Sequence, residues 1–132
     1  MAWKRTATKA GDGQRVLVVD DERHIVRLVG VNLERQGYAV TCAYGGREAI
    51  SLLERDEFDL AVIDRDMPDV SGSEVLAWIR ANERTKDLRV VVLDNDRHDD
   101  DPSDPSGPTA GANLWLTKPF DLGKLLNLGR NG

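Results

Sequence analysis

Three carboxylates and one ammonium follow apolar runs in this sequence. Asp64 ends Leu60-Ala61-Val62-Ile63 and precedes Arg65-Asp66-Met67-Pro68, while Val16-Leu17-Val18-Val19 ends in the acidic pair Asp20-Asp21. A further run, Leu114-Trp115-Leu116, leads into Thr117-Lys118-Pro119. If these runs are neighbouring strands, their carboxylates gather at one edge and repel one another unless a cation joins them. An oxygen-only donor set with open positions suits Mg²⁺ or Mn²⁺ better than zinc. Such a cation can hold a phosphoryl oxygen against a carboxylate nucleophile, with a lysine as second positive contact. Taken singly, each residue has a plainer reading. Asp20-Asp21 fits a solvated strand-to-helix turn, Asp64 a turn residue, and Lys118 a surface lysine. Their joint placement favours a site.

The elements that must position these groups are legible in the hydrophobic pattern. Arg15–Val19, Ala39–Ala43, Leu60–Ile63, Val90–Leu93 and Ala112–Leu116 are short, continuous apolar segments, as expected of parallel strands buried on both faces. Between them, Glu22 to Gln36 places Ile25, Leu28, Val29 and Leu33 on one stripe and stops at Gly37. Arg47 to Arg55 repeats the spacing with Ala49, Leu52 and Leu53, and Ser71-Gly72-Ser73-Glu74 has the form of a capping box ahead of Val75, Leu76 and Ile79. The β/α alternation predicts a doubly wound α/β fold with a five-stranded parallel sheet in flavodoxin-like order 2-1-3-4-5. Its ligand crevice would lie between the first and third strands, where Asp20, Asp21 and Asp64 converge. The alternation breaks after the fourth strand: residues 94–108 contain Pro102, Pro105 and Pro108 and no apolar side chain, so a Pro/Asp-rich loop is expected in place of a fourth helix. Leu122 to Leu128 reads as a short last helix weakened by Gly123.

At 132 residues the chain has room for one domain and a single core. A net charge of −5 gives no basic footprint for nucleic acid, and no apolar stretch is long enough to cross a bilayer. The segment 1–14 lacks the apolar core of a signal peptide and reads as a flexible tail, which points to the cytoplasm. Cys42, the single cysteine, excludes an intrachain disulfide and reads as a small buried apolar residue. His24 and His98 read as solvated, Trp3 as part of the tail, and Trp78 and Trp115 as packing residues. Asp99-Asp100-Asp101 lacks the glycine and glutamate of a calcium loop.

Asp20-Asp21-Glu22 after Val18-Val19, Asp64-Arg65-Asp66-Met67-Pro68 with Gly72, Gly111-Ala112, and Thr117-Lys118-Pro119-Phe120 together resemble the receiver domain of two-component response regulators. That resemblance spans Arg15 to about Leu126 and implies a receiver domain over 15–128, with a C-terminal tail over 129–132. It further implies a phosphorelay role in which Asp64 accepts a phosphoryl group from a histidine kinase or phosphotransfer protein and serves an output domain or protein target. Asp21 and Asp64 would hold Mg²⁺ directly, Asp66 through its carbonyl and Asp20 through water, while Lys118 would pair with Asp64 and then with the phosphoryl group. No other cofactor is implied, nor catalytic turnover beyond Mg²⁺-dependent self-phosphorylation and self-dephosphorylation of Asp64.

Two switch positions depart from the family pattern. Asp94 stands where a Thr or Ser hydroxyl is customary at the end of the fourth strand, and Trp115 replaces a smaller aromatic three residues before the lysine. A carboxylate facing a phosphoryl dianion is repulsive, so Asp94 is expected either to add to metal binding or to hold the loop through Lys118. A degenerate pseudo-receiver, docking partners around Trp115 without phosphorylation, is the alternative. A haloacid-dehalogenase-like phosphatase, suggested by the Asp64-Arg65-Asp66 spacing, is a third reading against which the short chain counts.

Overall fold

The computed structural model describes residues 13–94 and 111–117. In chain order these residues form β1 (Arg15–Val19), α1 (Arg23–Arg35), β2 (Ala39–Ala43), α2 (Gly46–Arg55), β3 (Leu60–Asp64), α3 (Gly72–Ala81), β4 (Arg89–Asp94) and β5 (Leu114–Thr117). All strand pairs are parallel and the order across the sheet is β2-β1-β3-β4-β5. The architecture is that of a flavodoxin-like α/β sheet with helices on both faces. The loop expected in place of a fourth helix beyond Asp94, the short last helix, residues 1–12 of the N-terminal tail and the C-terminal tail lie outside the described residues.

Alternation of side chains along each strand divides the core in two. Leu17, Val19, Ala61, Ile63, Val90 and Val92 pack with Ala49, Leu52 and Leu53 of α2 and with Val75, Leu76 and Ile79 of α3. On the other face Val16, Val18, Leu60, Val62, Val91 and Leu93 meet Val26, Val29 and Leu33 of α1. Because both faces are covered, the central strands must be apolar throughout, and β3 is buried at every position. The winding therefore reverses between β1 and β3, whose adjacent register pairs Val19 with Ile63 and sends both chains out of the sheet side by side.

Two sequence expectations need correction. Leu28 was placed on the buried stripe of α1, yet it is 48% exposed; the inward stripe is Val26, Val29, Gly30 and Leu33, at the i, i+3, i+4, i+7 spacing of one helix face. Cys42 is half-buried because β2 is an edge strand, and partial burial raises its thiol pKa, with Glu34 and Glu48 adding to the effect. Element ends differ from the expected ones by a residue or two, and Gly37 adopts φ 95° just beyond α1 while the Tyr38 N–H reaches back to the Leu33 carbonyl at 3.2 Å.

Arginines fasten the ends of these elements. The Arg80 guanidinium donates to the carbonyls of Lys86 (2.8 Å), Leu88 (2.6 Å) and Gly111 (2.7 Å), tying the end of α3 to the approach of β5. Arg84 donates to the Leu53 and Glu54 carbonyls at the C-terminal turn of α2, where backbone acceptors lack helical partners. Substituting Ile79→Ala should cost about 3 kcal/mol of unfolding free energy, by loss of buried methyl groups and the cavity left behind. Leu28→Ala should cost less than about 0.5 kcal/mol. Urea denaturation of both variants measures the contrast.

Candidate functional site

The register that aligns β1 with β3 also delivers their acids. Asp20 follows Val19, Asp64 is the last residue of β3, and one carboxylate oxygen each from Asp20, Asp21 and Asp64 lies within 4.8 Å of the others. Asp20 and Asp64 are buried, Asp64 to 1% exposure, whereas Asp21 is exposed at the rim. Carboxylates this close repel, and burial reduces the screening that water would supply. The donor set is oxygen alone, with two acids withdrawn from solvent and one at the mouth, which fits a hard divalent cation such as Mg²⁺. Asp20 Oδ1 accepts the Glu22 N–H at 2.9 Å, so its carboxylate is oriented by the turn that leads into α1.

The loop that follows Asp64 is fixed at several points. The Arg65 N–H donates to the Leu93 carbonyl and the Gly72 N–H to the Arg65 carbonyl, both at 2.8 Å. Gly72 opens α3 with its Cα against the strand end: a Cβ there would lie 2.2 Å from the Asp64 carbonyl oxygen and 2.8 Å from Arg65 Cα. Ser71 Oγ accepts the Glu74 N–H at 3.1 Å and caps the same helix. Farther along, the Asp69 carboxylate accepts the N–H groups of Gly46 and Arg47 at 3.0 Å each, capping α2, whose own flanking residue Gly45 supplies no side chain. These backbone bonds, that to Arg47 foremost, hold the Asp69 carboxyl at a pKa of about 2.

Of the residues expected at the site, Asp20, Asp21 and Asp64 come together. Asp66 is exposed in the loop and its carboxylate stands outside the cluster; the expectation for it concerned its carbonyl. Trp115 takes its place in β5 beside Val92, with its side chain outside the described residues, as is the whole of Lys118. Asp94 corrects one expectation. It does not join the acidic cluster; its Oδ2 receives Arg65 Nη1 at 2.9 Å, and the two side chains are 1% and 17% exposed. Pairing Asp64 with Leu93 sets Arg65 beside Asp94, and a carboxylate buried at that point requires a cation or donors. Sequence reading missed Arg65 and Asp69. The Arg65–Asp94 pairing was implicit in the β3–β4 register, whereas the reach of Asp69 to α2 depends on loop conformation that carries no sequence period.

Among the described residues no helix is long and apolar enough to cross a membrane. The family model described as the response regulator receiver domain matches residues 16–129. The chain is 36% identical over 108 residues to the regulatory protein VanRc of Enterococcus gallinarum, a match covering 82% of this chain and 45% of that protein. It is 35% identical over 111 residues to the transcriptional regulatory protein YkoG of Bacillus subtilis, covering 84% of this chain and 47% of that one. The chain thus spans about half the length of the curated relatives it matches. Among solved structures it resembles the response regulator protein TrrA of Thermotoga maritima in complex with Mg²⁺ and BeF, with 30% identity, a TM-score of 0.78, and 89% of this chain and 97% of that chain covered.

Gly72→Ala should destabilise the fold by more than about 2 kcal/mol, since backbone rather than a flexible side chain occupies the space; chemical denaturation measures it. Asp69 should contribute to acid stability. With its pKa depressed from 3.8 to about 2, its share is present above pH 3.8 and is lost as pH falls through about 2. Asp69→Asn should therefore flatten stability against pH across that window, and should do so modestly because the group is exposed.

Proposed function

This chain belongs to the response regulator receiver domain family, and from that premise we propose that Asp64 accepts a phosphoryl group from the phosphohistidine of a histidine kinase or phosphotransfer protein in the cytoplasm. The observation that carries the reading is the meeting of Asp20, Asp21 and Asp64 at adjoining strand ends. A carboxylate oxygen of Asp64 attacks phosphorus. The new bond is P–O, the broken bond is P–N, and the imidazole leaves with the electron pair. No proton need be removed from an ionised carboxylate, so this nucleophile requires no general base.

Mg²⁺ fits the donor set and, held by Asp20, Asp21, Asp64 and the Asp66 carbonyl, would offset the negative charge of the transferring group. Asp20 is oriented for this by the Glu22 N–H. The buried position of Asp64 restricts water that would hydrolyse the acyl phosphate. Lys118, which follows β5, supplies the second positive contact in this proposal. The protein modifies itself and releases inorganic phosphate on self-dephosphorylation, without turning over a separate substrate. Its output passes to a linked module or a protein target.

The pseudo-receiver alternative draws support from Asp94 repelling a phosphoryl group and from the expected loss of the fourth helix, which falls outside the described residues. With Arg65 Nη1 at 2.9 Å from Asp94 Oδ2, an adjacent cation offsets that charge, which favours the phosphoacceptor reading. Incubation with acetyl phosphate and Mg²⁺ should add the mass of one phosphoryl group to the wild-type chain and none to Asp64→Asn, as read by intact mass spectrometry. Chelating the metal should abolish the modification. An unmodified wild type under saturating donor, or equal modification of the variant, would overturn the proposal.

A further inference from the structure

Among the described residues the buried carboxylates are Asp20, Asp64 and Asp94, and only the first two belong to the acidic cluster. Asp94 lies at the end of β4 and is held by Arg65, the residue that immediately follows Asp64. Removing both charges of such a pair from water carries a desolvation cost that their attraction often fails to repay, so its burial is weak support for a purely stabilising role. Its position suggests another. The Arg65 backbone is fixed on one side by its N–H bond to the Leu93 carbonyl and on the other by the Gly72 N–H, both at 2.8 Å. The side chain is a long stem whose guanidinium faces Asp94.

Phosphorylation next door changes the competition for that guanidinium. A phosphoryl group brings about two negative charges where the carboxylate brought one. It also presents several oxygens to a planar fork of donors that matches phosphate in bidentate fashion. The geometry points to Arg65 as a ligand of the phosphoryl group on Asp64, with Asp94 as the resident competitor that holds the guanidinium until that group arrives. The inference rests on Asp64 being the acceptor. Its consequence is that Asp94 lowers the affinity of the site for a phosphoryl group, because any share of the Arg65 guanidinium that the phosphoryl group takes is withdrawn from a buried carboxylate.

Beryllofluoride with Mg²⁺, a non-covalent stand-in for the phosphoryl group, tests this by ¹⁹F NMR titration of the whole chain. Arg65→Gln alone would strand a buried charge, so the informative comparison is made on the Asp94→Asn background, which keeps the shape and removes the competitor. Asp94→Asn should bind beryllofluoride about tenfold more tightly than wild type, and adding Arg65→Gln should remove at least that gain, the scale of one charge-assisted hydrogen bond. Adding Arg65→Lys instead should restore part of it, because an ammonium makes a point contact rather than a fork. Equal affinities for Asp94→Asn and its two double variants would overturn the role of Arg65 while leaving Asp64 as acceptor intact. If beryllofluoride fails to bind wild type, or binds Asp64→Asn equally well, the acceptor reading falls and this inference with it.

Discussion

Mutual repulsion among Asp20, Asp21 and Asp64 is the constraint around which the rest of the molecule is arranged. Two of these acids are buried and all three present oxygens within 4.8 Å of one another. Separating them would relieve the repulsion, but the chain cannot do so without giving up the pairing of β1 with β3, which contributes four buried residues to each core. Hydrophobic burial along two strands thus forces together charges that would otherwise stay apart. A protein that holds such an arrangement is prepared for a cation, and the energy that builds the cluster comes from the apolar sheet beneath it.

The elements around the cluster are fastened by contacts to backbone atoms. Gly72 allows α3 to begin directly against the Asp64 carbonyl, and Asp69 ties the same loop to the start of α2. Arg80 performs a similar service for β5 by gripping the Gly111 carbonyl. Each of these contacts joins the carboxyl or amino ends of different elements, so the loop after β3 is positioned by its neighbours on both sides. Against that frame the Arg65 side chain, which follows Asp64, is a long cation paired with Asp94.

Much of this was legible in the residues. Apolar runs such as Val16–Val19 identify buried parallel strands, because a sheet covered on both faces tolerates no polar alternation. The β/α alternation then places Asp20, Asp21 and Asp64 at one crevice. The sequence misplaces Leu28 because six apolar residues in α1 admit more than one stripe, and only the packed sheet decides between Val26 and Leu28. From sequence, Asp94 is expected to add to metal binding or to hold the loop through Lys118. Its neutralisation by Arg65 is a cross-strand contact, visible once strand register is known and hidden in a linear pattern. Asp69 escaped for a related reason, since a cap supplied by a distant loop leaves no local spacing to detect.

The central claim is that the three strand-end carboxylates form a divalent-cation site, and crystals of this chain soaked in Mn²⁺ test it most directly through anomalous scattering. The account predicts one strong anomalous peak among the Asp20, Asp21 and Asp64 carboxylates, with oxygen ligands only. An ordered crystal whose carboxylates remain clustered but show no peak there, or whose only peak lies elsewhere on the surface, would contradict it.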